Sequence, residues 1–392
     1  MNIQISDASE VVERPLADTI PFAFHGRDNT AGCGTPLGLP RGTNDTLAQR
    51  IAQAFRTGPE GSLIGGALPF DRDDQDCLWQ CERTMATAPA TASGLPLDNW
   101  TLHPEPTADD FAGQVAKALG IMADEAGRPD ALEKIVLARS LLIRTRRDIP
   151  VAALMQRLEQ DPAVTAFRVA LPPRDGRSRV LCGATPELLI EKSGAAIASH
   201  PLAGSARRCG NPVQDRAAAA GLMRSEKDHR EHAIVTEYIM DVLSPLCSTL
   251  AAPQGTTLTS TRSMWHLGTR IEGRLRDAST PSALLASLLH PTPAVCGLPM
   301  ARAGGLIRKL EPHPRDFYAG AVGWCDASGD GAWHVAIRCA EIYGPEARLY
   351  AGAGIVPGSD PYAEAAETGA KFGAFLAALG LPVDAGLAGL DH

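Results

Sequence analysis

Hydrophobic positions recur along this chain with two periods. From Thr107 to Ala123, Phe111, Val115, Leu119 and Met122 fall on one stripe at helical spacing. From about Ser225 to Leu246, Val235, Tyr238, Ile239 and Val242 form a second stripe, and counting back along it reaches Glu231 and Asp228. A third helix is predicted from about Pro361 to Leu379, with Ser359 or Asp360 as cap and Pro361 in the first turn. On it Glu364, Glu367 and Lys371 share a flank that borders the apolar face of Phe372, Phe375 and Leu376. Elsewhere the pattern is that of strands. SLIGGALPF from Ser62 reads as a buried strand closed by turn residues, and KIVLARSLLIRT from Lys134, SRVLCGATPELLIEK from Ser178 and RLYAGAGIV from Arg348 are strand-like. GAVGWCD and WHVAIRCAEIY flank ASGDGA, which predicts a hairpin between Gly320 and Tyr343. Strands that follow one another through short loops favour antiparallel sheet, so the expected fold class is α+β rather than a doubly wound parallel sheet.

Composition narrows the function classes. The 392 residues are 44% apolar and 21% charged, with 38 Gly and 30 Pro, a globular balance rich in turns. There is no internal repeat or low-complexity tract; the small and polar stretch from Thr84 to Leu97 reads as the end of an N-terminal subregion. A formal charge of -8 leaves no global basic field for nucleic acid or an anionic membrane, so a small anionic substrate has to be held by local groups. The first 25 residues carry Asp7, Glu10, Glu13 and Asp18 against Arg14 and lack an apolar core, unlike a signal peptide. No apolar run reaches the ~20 residues of a membrane helix. Nine cysteines are dispersed, and the nearest pair, Cys77 and Cys81, has C-x3-C spacing, which suits a reducing cytoplasm better than a zinc ribbon.

Several residues could carry chemistry. Two acidic clusters at i,i+3 spacing, each on or beside an apolar helix face, repel unless a cation or donors neutralise them, and an all-oxygen set of few carboxylates suits Mg2+. The same spacing also serves a Ser225 to Asp228 cap and a Glu367 to Lys371 ion pair. His229 and His232 are i,i+3, not the i,i+4 of H-E-x-x-H, and read as structural. The AGAG stretch from Ala351 offers backbone N–H groups to an anion or makes a tight turn. Arg338 alternates with His334 and Ala336 on one face of an expected strand, where it could clamp a carboxylate or stand in solvent. Lys134 shares a strand face with Val136 and Ala138, which would strip water from the ammonium and favour its basic form; a strand-end lysine in water fits as well. Glu187 follows Pro186 at a strand boundary, an ordinary place for a turn carboxylate.

In order along the chain, KIVLARSL at 134, LCGATPELL at 181, PLAGSARR at 201, SEKDHREH at 225, HLGTRIEGRL at 266, LLHPTPAVCGLP at 288, AGAVGWCDASGDGAWHVAIR at 319 and YAGAGIVPGSDPYAEAAET at 350 resemble the chorismate-utilising enzymes. That family comprises the isochorismate, anthranilate, aminodeoxychorismate and salicylate synthases. The resemblance implies one α+β domain over 1–392, with antiparallel sheets flanked by helices, a catalytic core at 110–380 and a more variable subregion at 1–100. Within the family, HPTPAVCG with His290, PFAF at 21 and GALPFD at 66 are similar to siderophore-pathway isochorismate synthases, and the Leu-Leu-Glu-Ser stretch of tryptophan-regulated members is missing.

The resemblance implies Mg2+-dependent conversion of chorismate to isochorismate, feeding 2,3-dihydroxybenzoate siderophore synthesis, with salicylate synthase as the alternative. It implies Lys134 as the base that activates water at C2 and Glu187 as the acid that protonates the departing C4 hydroxyl. Glu231 and Glu367 are then the Mg2+ ligands, with Asp228 and Glu364 behind them. Asp228 stands where some members carry Glu. Arg338 and the backbone of Gly352, Ala353 and Gly354 are expected to take the enolpyruvyl carboxylate, Thr269 and His290 to line the ring site, and Lys371 to contact substrate. A cytoplasmic monomer without an amidotransferase subunit completes the expectation.

Overall fold

The computed structural model describes residues 20–26, 29–86 and 99–387. The acidic N-terminal stretch through residue 19 and residues 87–98 of the expected linker lie outside the described residues. Among those described are twenty strands and eight α-helices. All assigned strand pairs are antiparallel, as expected for the α+β class.

Seventeen strands form one continuous ribbon. One half runs from Thr101–Glu105 through Lys134–Arg144, Glu346–Ile355, Cys339–Tyr343 and Arg177–Thr185 to Thr165–Arg174. The other runs from Ser62–Leu68 through Ala321–Asp326, Gly331–Val335, Leu188–Ser193 and Ala196–His200 to Ile271–Leu275. Phe22–His25, Thr30–Gly38 and Cys77–Met85 join the halves. Phe22, Phe167 and Trp333 belong to a core shared by both halves, while Phe375 and Leu376 pack the Pro361–Leu379 helix on Leu141 and Ile143. A separate three-stranded sheet of Leu202–Arg207, Met264–Thr269 and Thr256–Ser260 stands beside them.

The helices predicted from periodicity form as Ala108–Glu125, Glu226–Leu243 and Pro361–Leu379. Ser225 caps the second by accepting the Asp228 N–H, and Asp360 rather than Ser359 caps the third. The Lys134–Arg144 strand is buried from Lys134 to Ile143 because both its faces are covered: Ile135 and Leu137 lie in one core, Leu141 and Ile143 in another, and the alternate Val136, Ala138 and Leu142 are buried too. Its sequence is therefore largely apolar rather than alternating.

Two expected strands are broken, and the breaks determine the site. SRVLCGATPELLIEK divides into Arg177–Thr185 and Leu188–Ser193 at Pro186, which has no N–H for the ladder. WHVAIRCAEIY divides as well: Gly331–Val335 completes the predicted hairpin with Ala321–Asp326, and Cys339–Tyr343 leaves for the other half of the ribbon. Each chain therefore crosses between the two halves at the same level. The crossings bond to each other, with the Ala184 N–H donating to the Arg338 carbonyl and the Val335 N–H to the Glu187 carbonyl, both at 3.1 Å.

Candidate active site

Glu187 and Arg338 sit in those crossings, where the backbone has left the ladder and side chains can turn into the interior. The expected strand face for Arg338 is corrected here: residues 336–338 are irregular, and Arg338 takes φ 51°, a left-handed conformation uncommon outside glycine that recurs at functional sites. The two side chains line a narrow cavity of about 80 Å³ together with Glu231, His266, Glu367 and Lys371.

Glu187 is 3% exposed. Burial raises its pKa to about 8, against the opposing pull of a hydrogen bond from the Leu202 backbone and the positive charges of Lys134, Lys371 and Arg338. It is thus a neutral acid at pH 7. Arg338 is lowered to about 10 by burial and remains a cation. Its Nη2 lies 3.4 Å from His266 Nε2, and burial next to Arg338 and Lys371 holds that imidazole well below its ordinary pKa, hence neutral.

Lys134 opens its strand fully buried, with Nζ 3.1 Å from Glu231 Oε1. The ammonium is off the line of a hydrogen bond, so a close ion pair coexists with an Nζ that has no hydrogen-bond partner among the described residues. Lys134 touches the cavity from behind: a Cβ on Gly354 would lie 2.0 Å from Glu231 Oε1 and 3.3 Å from Lys134 Cε. The bare strand at Gly354 is what lets the Glu231 carboxylate lie there.

The Glu346–Ile355 strand explains which of the three AGAG positions can serve a ligand. In an antiparallel ladder successive residues direct their backbone groups to opposite edges. Gly352 and Gly354 face away from the Lys134 strand, since the Gly352 carbonyl accepts from Lys371 Nζ at 2.8 Å and the partner residues Ala138 and Val136 donate to Glu311 and Cys296 instead. Ala353 is turned the other way, its backbone paired to Leu137 and its side chain in the core. Of the expected carboxylate-binding backbone, the geometry therefore brings Gly352 and Gly354 to the cavity and not Ala353.

The four expected metal carboxylates gather from two helices. Glu231 and Glu367 line the cavity; Asp228 and Glu364 are not among its lining residues. Burial, and after it the neighbouring carboxylates, push Asp228 and Glu364 up. Lysines compensate three of the four: Glu231 pairs with Lys134, Glu364 with Lys227 and Glu367 with Lys371 at 2.6 Å. Ser205 also donates to Glu367 at 2.8 Å, and the Lys and Ser donors hold that carboxyl below its ordinary value. Among the described residues no three carboxylate, imidazole or thiolate groups converge on one point. Two cavity-lining carboxylates with room for water and substrate oxygens nevertheless match what a hard divalent cation accepts.

Two expected ring-site residues lie elsewhere. Thr269 is three positions from His266 on one strand, which puts them on opposite faces. His266 reaches the cavity, whereas Thr269 hydroxyl bonds His232 Nε2 at 2.7 Å. His290 sits 2.9 Å from the Pro69 carbonyl and 3.3 Å from that of Phe70, a tie between the loop after the Ser282–Leu289 helix and the N-terminal subregion, and it is not among the cavity-lining residues. Sequence reasoning missed His266, Ser205 and Lys227. The first was within reach, because HLGTRIEGRL contains it and strand alternation separates it from Thr269; the other two depend on contacts across elements.

A family model described as "Chorismate binding enzyme" matches residues 72–380. The chain belongs to the chorismate-binding enzyme family. As a chorismate-binding enzyme it is 40% identical over 349 residues to the isochorismate synthase DhbC of Bacillus subtilis (strain 168), covering 86% of each chain. It is 37% identical over 395 residues to the isochorismate synthase EntC of Escherichia coli (strain K12), covering 95% of this chain and 98% of the relative. The crystal structure of DhbC from Bacillus anthracis superposes with TM-score 0.84 at 36% identity, over 92% of this chain and 96% of that one. No helix among the described residues is long and apolar enough to cross a membrane.

Proposed function

We propose that the chain is an isochorismate synthase that converts chorismate to isochorismate with Mg2+. The observation that carries the reading is the placement of Glu187, a buried carboxyl that lines the cavity, together with the fully buried Lys134 beside the cavity-lining Glu231; burial raises Glu187 to about 8, which suits a proton donor at neutral pH. In the proposed reaction Lys134 takes a proton from water as the oxygen bonds to C2. The ring double bonds shift, and Glu187 gives its proton to the C4 hydroxyl, which leaves as water. One water enters and one departs. Arg338 and the open edge at Gly352 and Gly354 hold a substrate carboxylate, and neutral His266 orients Arg338.

Glu231 and Glu367 would hold Mg2+, with Asp228 and Glu364 behind them. When bound, the ion supplies positive charge for the ring carboxylate. Lys134 and Lys371 pair with those glutamates, and a cation held by the carboxylates would leave both lysines free for water and substrate. Nine free thiols support a reducing cytoplasm. The likeness to DhbC supports a place in 2,3-dihydroxybenzoate siderophore synthesis, and a base able to activate water supports action without ammonia or an amidotransferase subunit.

The test is incubation of the pure protein with chorismate and Mg2+ in 18O-water. Isochorismate labelled at C2, unchanged by added ammonium, is expected. Salicylate and pyruvate formed as fast as chorismate disappears, or an aminated product, would overturn the proposal.

A further inference from the structure

A second cavity of about 460 Å³ adjoins the catalytic one and shares Pro186 and Arg338 with it. Its lining includes Arg157, Arg207, Arg208, Arg262 and Arg338 against a single carboxylate, Asp161. In a chain of net charge -8 that is a local reversal of sign. The other wall is the small-residue face of the Pro361–Leu379 helix, at Ala370, Gly373, Ala374 and Ala377.

These arginines differ in how far their charge is already used. Arg208 is spent on Asp215 and lies over the Trp265 ring, and Arg157 donates to the Ala378 carbonyl. Asp161 accepts the Arg262 backbone N–H at 2.7 Å and not its guanidinium. The Arg207 and Arg262 side chains are exposed and form no ion pair among the described residues. Among the described residues, two guanidiniums without an ion pair therefore line a cavity that also reaches the half-buried cation Arg338.

We infer that this cavity is the port through which the substrate reaches the catalytic cavity, with Arg207 and Arg262 capturing a small dicarboxylate and passing it to Arg338. The inference rests on the proposed function for the identity of the dicarboxylate. A small-residue wall accepts an unsaturated ring without a polar penalty, while guanidiniums accept carboxylates in a bidentate manner. Steering by a cleft of one sign raises association rates by ~10–10³-fold and fades with salt, whereas charges at a rim act little on later steps.

The experiment compares Arg207→Glu, Arg262→Glu and the double variant with Arg146→Glu, an exposed arginine outside the cavity that makes the same charge change. Turnover of chorismate is measured from low to high NaCl, and chorismate binding is measured by calorimetry in a Glu187→Gln background. The double variant is expected to lose about tenfold or more in kcat/KM and affinity at low salt, to recover toward wild type at high salt, and to keep kcat within about twofold. Melting curves verify that each variant is folded. Values that follow the Arg146→Glu control across the salt series overturn the port. If the wild type makes no isochorismate, the functional reading fails, and the calorimetric salt series still decides the port. Absence of any chorismate binding rejects both.

Discussion

Lys134 Nζ stands 3.1 Å from Glu231 Oε1 without the alignment of a hydrogen bond. The pair holds charge in a buried place while leaving donor capacity on the lysine uncommitted. Removing the Glu231 charge leaves Lys134 alone in the interior, and removing that of Glu367 frees Lys371. Glu231→Gln and Glu367→Gln are expected to retain the fold and lose most activity, with a higher Mg2+ requirement; excess EDTA should silence the wild type. Near-normal turnover of either variant at limiting Mg2+ rules that residue out as a ligand.

Glu187 gives a pH signature with two readouts. As a general acid it must be protonated, so kcat/KM should fall as pH rises through about 8. Glu187→Gln should lower turnover by ~10²–10⁴-fold and abolish that alkaline limb, and Lys134→Ala should cost a similar factor with chorismate still bound. Linkage adds a sign that activity does not report. The folded pKa is raised above the ordinary 4.5, so the neutral carboxyl favours the fold fully below 4.5, and this stability is lost as pH rises through about 8. The permanently neutral Glu187→Gln variant should therefore melt higher than wild type above pH 8. An unchanged alkaline limb would disqualify Glu187 as the acid.

Gly354→Ala separates site geometry from stability. The added Cβ would come within 2.0 Å of Glu231 Oε1, the movable end of a side chain, and Gly354 has no positive φ to strain. The expected result is a melting temperature close to wild type with activity reduced at least tenfold, because Glu231 is displaced. Full activity would mean that the Glu231 position seen here is not used in catalysis.

Acid should loosen the fold through buried neutral imidazoles. Burial lowers His290 and His334 each to about 4 from the ordinary 6.5. Their contribution is present above 6.5 and is lost as pH falls through 4. The melting temperature should decline across that window, and His290→Gln should flatten the decline. A slope unaltered by the substitution would show that His290 does not contribute to it.

Element existence was legible in the sequence because helical and strand periods are local. The Glu226–Leu243 and Pro361–Leu379 helices, and the hairpin around residues 327–330, needed no tertiary knowledge. The breaks at Pro186 and at residues 336–338 were not legible in the same way. A run such as WHVAIRCAEIY is equally apolar on either side of Arg338, and only the two different sets of partner strands divide it. Spacing alone placed Glu231, Glu364 and Glu367 on helices, and the helices form there. Thr269 and His266 lie in one resembling block, HLGTRIEGRL, and the pleat, which a block does not record, decides which of the two faces the cavity.

The ribbon's connectivity also bears on how this gene could be shortened. The family match begins at residue 72, but the Ser62–Leu68 strand before it supplies six residue-to-residue partners to Ala321–Asp326, and Pro69 and Phe70 provide the carbonyls that meet His290. A polypeptide started at the match boundary would present Ala321–Asp326 as a raw sheet edge, buried and apolar in composition, ready to recruit a strand from a neighbouring copy. Such a truncation should therefore fail by precipitation rather than by loss of a discrete domain.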